Sequence, residues 1–327
     1  MAVSGDAVNA PLPAWQDGQV LDDAVARAAT TLGDHGLVGL PTETVYGLAA
    51  VATDETAVGR VFAVKGRPSD HPVIVHVSGA GALDTWGQGV RPYARRLAEA
   101  LWPGPLTLVV PAADEVPRYV TGGQDTVGLR CPAHPVALAV IDAAGPVAAP
   151  SANRFGRVSP TSAADVAADL ADALDSRDLI LDGGDCPIGV ESTILDCTGE
   201  QPRVLRWGAV ELDEIEAAAG VAVSAGRTEV RAPGGLASHY APRARVHVSG
   251  QPRPGAALLA PAAVPTPDGV LRLAAPETAR EYAACLYRAL RDADAAGVMD
   301  VWAVPPAGDS ALDAAVADRL TRASNSG

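Results

Sequence analysis

The chain has 327 residues, 48% hydrophobic and 20% charged, so it can bury a full core and is not a disordered polyelectrolyte. Its formal charge of −14 argues against tight nonspecific adhesion to nucleic acid, and residues 1–210 alone carry 14 basic and 25 acidic groups. The length suits roughly two domains of about 150 residues each, and aromatics at only 4% leave Ala, Val, Leu and Ile to build the cores.

Residues 1–20 are polar and proline-containing and read as a leader. Residues 21–32 have amphipathic helical spacing, and 37–40 read as a short buried strand ending at Pro41. A helix-like run at 56–64 precedes strand-like runs at 73–77, 106–110, 126–130, 147–149, 179–181, 192–196 and 203–205. Helical candidates lie between them at 90–100, 135–144 and 162–174, the last opened by Thr161-Ser162 and an acidic first turn. The alternation predicts α/β layers, with strand order left open. After a helix at 211–220, residues 221–243 turn polar and glycine-rich, the strongest boundary signal in the chain. Beyond it come strands near 244–248, 256–259, 269–273 and 300–304 and helices at 277–296 and 311–323, a second and smaller α/β domain.

Cys131, Cys186, Cys197 and Cys285 are dispersed, without metal-ligand spacing, and read as small apolar residues of a reducing compartment. No apolar run reaches the ~18 residues of a membrane span, and no basic region followed by an apolar run opens the chain. The expectation is a cytoplasmic protein with no membrane association.

Lys65 is the one lysine among 25 strongly basic residues. An ammonium is a compact point charge where a guanidinium is a wide planar fork, so Lys65-Gly66-Arg67-Pro68 can grip a polyphosphate. On that reading Lys65 is removable with little loss of folding stability. The run Pro41-Thr-Glu-Thr-Val-Tyr-Gly-Leu48 crowds hydroxyls, a carboxylate and a phenol into one turn and fits either a small polar substrate or a capping loop. His71 reads as site-lining, whereas His76, alone on a strand, reads as structural. Trp102-Pro-Gly-Pro-Leu-Thr107 reads as architecture. Thr121-Gly122-Gly123 allows close backbone approach to a ligand, and Arg130, ending a strand, can take a carboxylate bidentately. Ala149-Pro-Ser-Ala-Asn153 with Ser159-Pro-Thr161 brings short polar side chains to a strand end and a helix start. Gly189-Val-Glu-Ser-Thr193 and Arg206 add a second polar strand and a further cation. The loops of P-loop NTPases, Rossmann dehydrogenases, serine hydrolases and zincins are absent.

Five of these segments, in this order, resemble the motifs of the threonylcarbamoyl-AMP synthases, the YrdC/Sua5 family of tRNA N6-threonylcarbamoyladenosine synthesis. They are 41–48, 65–68, 102–107, 149–153 and 189–194, and the likeness covers about residues 20–210. Ala232-Pro-Gly-Gly-Leu-Ala-Ser-His-Tyr-Ala-Pro242 resembles the interdomain linker of the long, two-domain Sua5 form, with departures at Gly235, Leu236 and Ser238. The resemblance implies an α/β fold with a YrdC-like open twisted mixed sheet and a concave active-site cleft, plus a smaller C-terminal α/β Sua5 domain. The divisions implied are a leader at 1–20, a catalytic domain at 21–210, a linker at 211–243 and the Sua5-type domain at 244–327.

The activity implied is nucleotidyl transfer, making threonylcarbamoyl-AMP and pyrophosphate from L-threonine, bicarbonate and ATP. Carried over position by position, Thr44, His76, Arg130, Ser151 and Ser192 line the threonine pocket. Arg67, His71, Thr121, Asn153, Ser159, Arg206 and Tyr240 hold ATP, and Lys65, Arg67, Ser151 and Asn153 surround the reacting phosphate. Mg2+ is expected to arrive on ATP oxygens and water, with no protein ligand assigned. A downstream threonylcarbamoyl transferase is the expected partner, and the linker is expected to close over the cleft with Tyr240 against the nucleotide. An RNA-binding module is the rival from another class, disfavoured by the acidic first domain and scarce aromatics, so stable tRNA binding is not expected. A carbamoyl-transferring hydrogenase-maturation domain is disfavoured because no acylphosphatase-like or zinc-finger segment accompanies it.

Overall fold

The computed structural model describes residues 18–224, 229–234 and 239–325. Most of the leader (1–17) and the linker positions Gly235, Leu236 and Ser238 lie outside the described residues. Helix α1 (Gly18–Gly33) leads to β1 (Val38–Leu40), and the 41–46 loop turns into β2 (Gly47–Val51). Helix α2 (Glu55–Lys65) starts on Asp54, whose carboxylate accepts from the Ala57 amide. It stops at Gly66, which takes the left-handed conformation (φ 62°) that glycine adopts at helix ends. That stop turns Arg67 away from the helix direction held by Lys65.

β3 (Ile74–His76), α3 (Ala82–Trp86), α4 (Pro92–Leu101), β4 (Leu106–Pro111), α5 (Arg118–Thr121) and β5 (Thr126–Arg130) follow. Next come α6 (Pro135–Ala144), β6 (Val147–Ala148), α7 (Ala163–Leu170), β7 (Leu179–Ile180), β8 (Thr193–Asp196), β9 (Arg203–Arg206) and α8 (Leu212–Ala219). Proline in the first turn suits α4 and α6, because the amide it lacks has no partner there. Ser162 and Asp165 cap α7 reciprocally, as the acidic first turn led one to expect.

Strands β1 to β9 form one mixed sheet in the order β7-β1-β2-β6-β3-β5-β4-β8-β9. Parallel pairing of β3 with β5 sets His76 opposite Arg130, and antiparallel pairing of β4 with β5 sets Thr107 opposite Arg130. The second, small domain is a parallel sheet, β10-β13-β11-β12, built from β10 (Arg245–His247), β11 (Ala257–Leu259), β12 (Leu271–Ala274) and β13 (Asp300–Ala303). Helices α9 (Ala279–Ala295) and α10 (Ala311–Ser324) complete it. Val45, Val158 and Val190 of the first domain share one apolar cluster with Tyr240, Tyr282, Leu286 and Tyr287, so the two domains pack through a common core.

Strand β2 is the main element the sequence did not signal. Its residues are Gly-Leu-Ala-Ala-Val, nearly all buried, so neither period-2 alternation nor β-branched enrichment marks it. Helix α7 ends at Leu170, short of the expected 174, and α3 and α5 are too short to show a helical period. The four cysteines are free, three of them buried, and among the described residues no helix is long and apolar enough to cross a membrane.

Candidate active site

The strand ends and loops of the large sheet converge on a cleft with two adjoining chambers that share Arg67, Pro233, Gly234 and His239 as wall. The inner chamber, about 60 Å³, gathers the polar side chains Thr42, His76, Arg130, Ser151, Ser192, Arg206 and Tyr240 beside an apolar wall of Val45, Ile74, Ala149 and Pro150. The outer chamber, about 350 Å³, is lined by His71, Phe155, Leu205 and linker residues 229–234. Its volume suits a nucleotide-sized ligand.

Arg130 is the deepest cation of the inner chamber, 4% exposed, with a terminal guanidinium nitrogen 2.8 Å from a Glu43 carboxylate oxygen. The contact balances charge without alignment: Nε and Nη2 of Arg130, and both Glu43 oxygens, are buried without a well-directed hydrogen bond. Beside it His76 is buried with Nδ1 unpartnered; burial, then the Arg130 charge, push its imidazole down to about 3. His76 is therefore neutral near pH 7 and can accept or donate a hydrogen bond without adding charge. Ser192 and Thr107 hydroxyls lie 2.8 Å apart, and Arg206 clasps Ser192 by donating from Nε to its carbonyl (3.1 Å) and from Nη2 to its hydroxyl (3.1 Å).

Arg67 stands at the junction of the chambers, donating to the Pro72 carbonyl at 2.8 Å and lying 5.7 Å over the Phe155 ring; burial lowers its guanidinium to about 10. His71 meets the same ring edge-on at 5.5 Å, and burial, then Arg67, lower its imidazole. Lys65 behaves differently. It is 3% exposed, at the end of α2, and donates to the backbone carbonyls of Ser151 (2.5 Å) and Asn153 (2.6 Å). Burial, then Arg67, drive its ammonium well below the usual lysine value. The lone lysine thus holds the 151–153 loop and itself lines neither chamber. Those two contacts lead to a different expectation from the sequence, that removing Lys65 costs folding stability.

Asn153 donates from its amide to the Arg154 (3.0 Å) and Arg157 (2.8 Å) carbonyls, and its own side-chain oxygen is buried without a partner. Like Lys65 and Asn153, the residues Thr44, Thr121 and Ser159 are buried but line neither chamber. Thr44 and Thr42 hydroxyls are 3.0 Å apart, the Thr121 hydroxyl donates to Arg118 O at 3.3 Å, and Ser159 donates to a Glu191 carboxylate oxygen at 2.6 Å. Their hydroxyls are engaged by other groups of the protein.

The described linker residues lie across the cleft. Arg231 donates to the Asp70 and Gly122 carbonyls, and Pro233 O accepts from Arg206 at 3.2 Å. Tyr240 is 1% exposed, adopts a left-handed backbone (φ 63°) unusual for a bulky side chain, and has a buried hydroxyl without a partner. Sequence reasoning gave Glu43 and Glu191 no role beyond their motifs and passed over Phe155 and Arg231. Phe155, one of only two phenylalanines and set in a polar Asn-Arg-Phe-Gly-Arg loop, was the detectable signal; the partners of the two carboxylates lie far off in the chain.

A family model described as "Telomere recombination", of Sua5, YciO and YrdC proteins, matches residues 30–208. A second, "Threonylcarbamoyl-AMP synthase, C-terminal domain", matches residues 210–325. The chain is 46% identical over 233 residues to the threonylcarbamoyl-AMP synthase of Pyrococcus abyssi (strain GE5 / Orsay), covering 69% of this chain and 68% of that one. It is 43% identical over 230 residues to the threonylcarbamoyl-AMP synthase of Bacillus subtilis (strain 168), covering 68% and 66%. The crystal structure of P. abyssi Sua5 complexed with L-threonine superposes with a TM-score of 0.82 at 39% identity, covering 92% of this chain and 94% of that one. With both domains matched in sequence and in fold, the chain belongs to the Sua5/YciO/YrdC family, in its two-domain form.

Proposed function

We propose that this protein is a threonylcarbamoyl-AMP synthase, a nucleotidyltransferase that makes the adenylate and pyrophosphate from L-threonine, bicarbonate and ATP. The observation that carries the reading is the pair of joined chambers: a small one gathering polar side chains around Arg130, and a nucleotide-sized one reached past Arg67. Relatives bearing that name match 69% and 68% of the chain, and a solved relative complexed with L-threonine superposes over 92% of it.

In the inner chamber the threonine carboxylate takes the unmatched Arg130 donors, with Glu43 limiting the excess positive charge. Neutral His76 and the Ser192–Thr107 hydroxyls are suited to the substrate's hydroxyl and amine, and Ser151 closes the same chamber. Thr44 acts through Thr42, to which it is hydrogen-bonded. Threonine's amine and bicarbonate condense to a carbamate with loss of water; a carbamate oxygen then attacks the α-phosphorus and pyrophosphate leaves. Such a displacement is helped chiefly by in-line positioning and by charge set against the phosphates. Arg67 and Arg206 supply that charge, and Lys65 adds its own from behind the 151–153 loop that Asn153 also fixes. His71 flanks the nucleotide, and Tyr240 meets it from the inner chamber beside the shared His239 wall. Thr121 and Ser159, which line neither chamber, act on it only indirectly. Mg2+ accompanies ATP, shielding phosphate charge. The ion is proposed to arrive on ATP oxygens and water, with no protein ligand assigned to it.

On this reading residues 21–210 form the catalytic unit, 211–243 the linker and 244–327 the second domain. The labile product passes to a threonylcarbamoyl transferase in the cytoplasm, without stable tRNA binding by this chain. The test is incubation with ATP, Mg2+, bicarbonate and single amino acids while pyrophosphate is followed. Release specific to threonine supports the assignment; none with any amino acid overturns it.

A further inference from the structure

Glu191 is a carboxylate of the first domain that the reaction scheme does not use. It sits between the glycine turn and β8, 6% exposed, and its partners come from both domains. One oxygen accepts from Ser159 (2.6 Å) and Tyr287 (3.0 Å); the other accepts from Tyr287 (2.9 Å) and Arg319 Nε (3.1 Å). Tyr287 lies on α9 and Arg319 on α10, both in the second domain. Burial alone would raise the Glu191 carboxyl, but Arg319, Arg206 and the Ser159 hydroxyl together bring it down to about 2, so it is ionised at any physiological pH.

The two second-domain side chains also grip Tyr240. The Tyr287 ring stacks on it at 5.8 Å and 27°, and the Arg319 guanidinium lies 5.5 Å over its face. Arg319 is 1% exposed, so its charge is spent on Glu191, on Asp318 (3.2 Å) and on this ring rather than on solvent. Tyr240 needs such support: its backbone is left-handed, a conformation that bulky residues hold only where their surroundings impose it. A buried ion pair stabilises a fold little more than a well-packed apolar substitute, and its best-attested use is to fix a geometry.

We propose that Arg319 and Tyr287 are positioning residues of the nucleotide site, holding the Tyr240 ring in the cleft with Glu191 as their shared anchor. The second domain then contributes to catalysis across the domain interface. The inference rests on Tyr240 being a nucleotide contact in the proposed reaction.

The test uses the full chain and direct titration with ATP, which does not depend on turnover. Arg319→Lys keeps the charge for Glu191 but loses the planar face, and Tyr287→Phe keeps the ring but loses the hydroxyl. Arg319→Lys should weaken ATP binding about tenfold and Tyr287→Phe by a smaller factor. In a Tyr240→Ala background the Arg319→Lys effect should vanish, because the group through which it acts is gone. Unchanged ATP affinity in Tyr287→Phe and Arg319→Lys overturns the proposal. So does an undiminished Arg319→Lys effect in the Tyr240→Ala background, which marks a general structural role. Should Arg319→Lys not fold, Tyr287→Phe alone and in the Tyr240→Ala background decides by the same criteria. Wild-type protein that does not bind ATP overturns the synthase reading itself, and this one with it.

Discussion

Arg130→Gln separates what the Glu43–Arg130 pair does for folding from what it does for threonine. Both side chains are nearly inaccessible, at 7% and 4% exposed, and the closest nitrogen–oxygen distance is 2.8 Å. Removing the guanidinium strands an ionised carboxylate in a low-dielectric wall, and breaking such a buried pair costs about 3–5 kcal/mol. The double variant Glu43→Gln/Arg130→Gln replaces the pair by two neutral amides and should recover most of that loss. Threonine binding should not recover, because a charge-assisted hydrogen bond to the substrate carboxylate, worth about 1.5–3 kcal/mol, is absent in both variants. Urea unfolding gives the first quantity, and calorimetric titration with threonine gives the second. A double variant as unstable as the single one would refute the pairing argument. Wild-type threonine affinity in either variant would refute the placement of the carboxylate on Arg130.

Lys65→Ala should destabilise the chain by about 2–4 kcal/mol, since two hydrogen bonds from a charged donor are lost, and should also abolish most pyrophosphate release. Lys65→Arg should rescue neither, and wild-type melting of Lys65→Ala would count against the carbonyl contacts. Threonine should be preferred over valine by about 1–3 kcal/mol, the cost of an unmatched buried hydroxyl partner, with serine weaker than threonine but detectable; equal pyrophosphate release from valine and threonine contradicts the pocket. Burial pushes His76 down to about 3 and His239 down to about 4, so the unfolded chain binds more protons than the folded one between those values and the ordinary histidine value of 6.5. Stability should therefore rise with pH across that window, and His76→Gln should recover about 2 kcal/mol at pH 5 relative to pH 7. A His76→Gln variant with the wild-type pH slope would rule this out.

The sequence made the β5 strand and the α6 helix readable to the residue, because a strand bounded by Asp125 and Pro132 and a helix opened by Pro135 carry their own stop signals. Strand β2 was hidden because burial on both faces removes the alternation that betrays a strand. In the cleft, Arg130, Arg67 and Tyr240 stood in short motifs and were visible as site candidates. What those residues touch was not. Glu43 meets Arg130 only because β3 and β5 pair beside the 41–46 loop, and Glu191 meets Arg319 only because the second domain folds back on the first. The role of Lys65 shows the same limit: its rarity marked it as special, yet its partners are main-chain carbonyls that no side-chain motif could reveal.

The central claim is that a carbamate formed from threonine and bicarbonate becomes joined to AMP in this cleft. Incubating the protein with ATP, Mg2+, threonine and ¹³C-bicarbonate, then reading the nucleotide products by mass spectrometry at early times, tests it directly. The account predicts a threonine-dependent adenylate that carries the label, formed in step with pyrophosphate and absent when any one substrate is withheld. Pyrophosphate and AMP arising without a labelled adenylate, or an adenylate that forms equally well without bicarbonate, would contradict it.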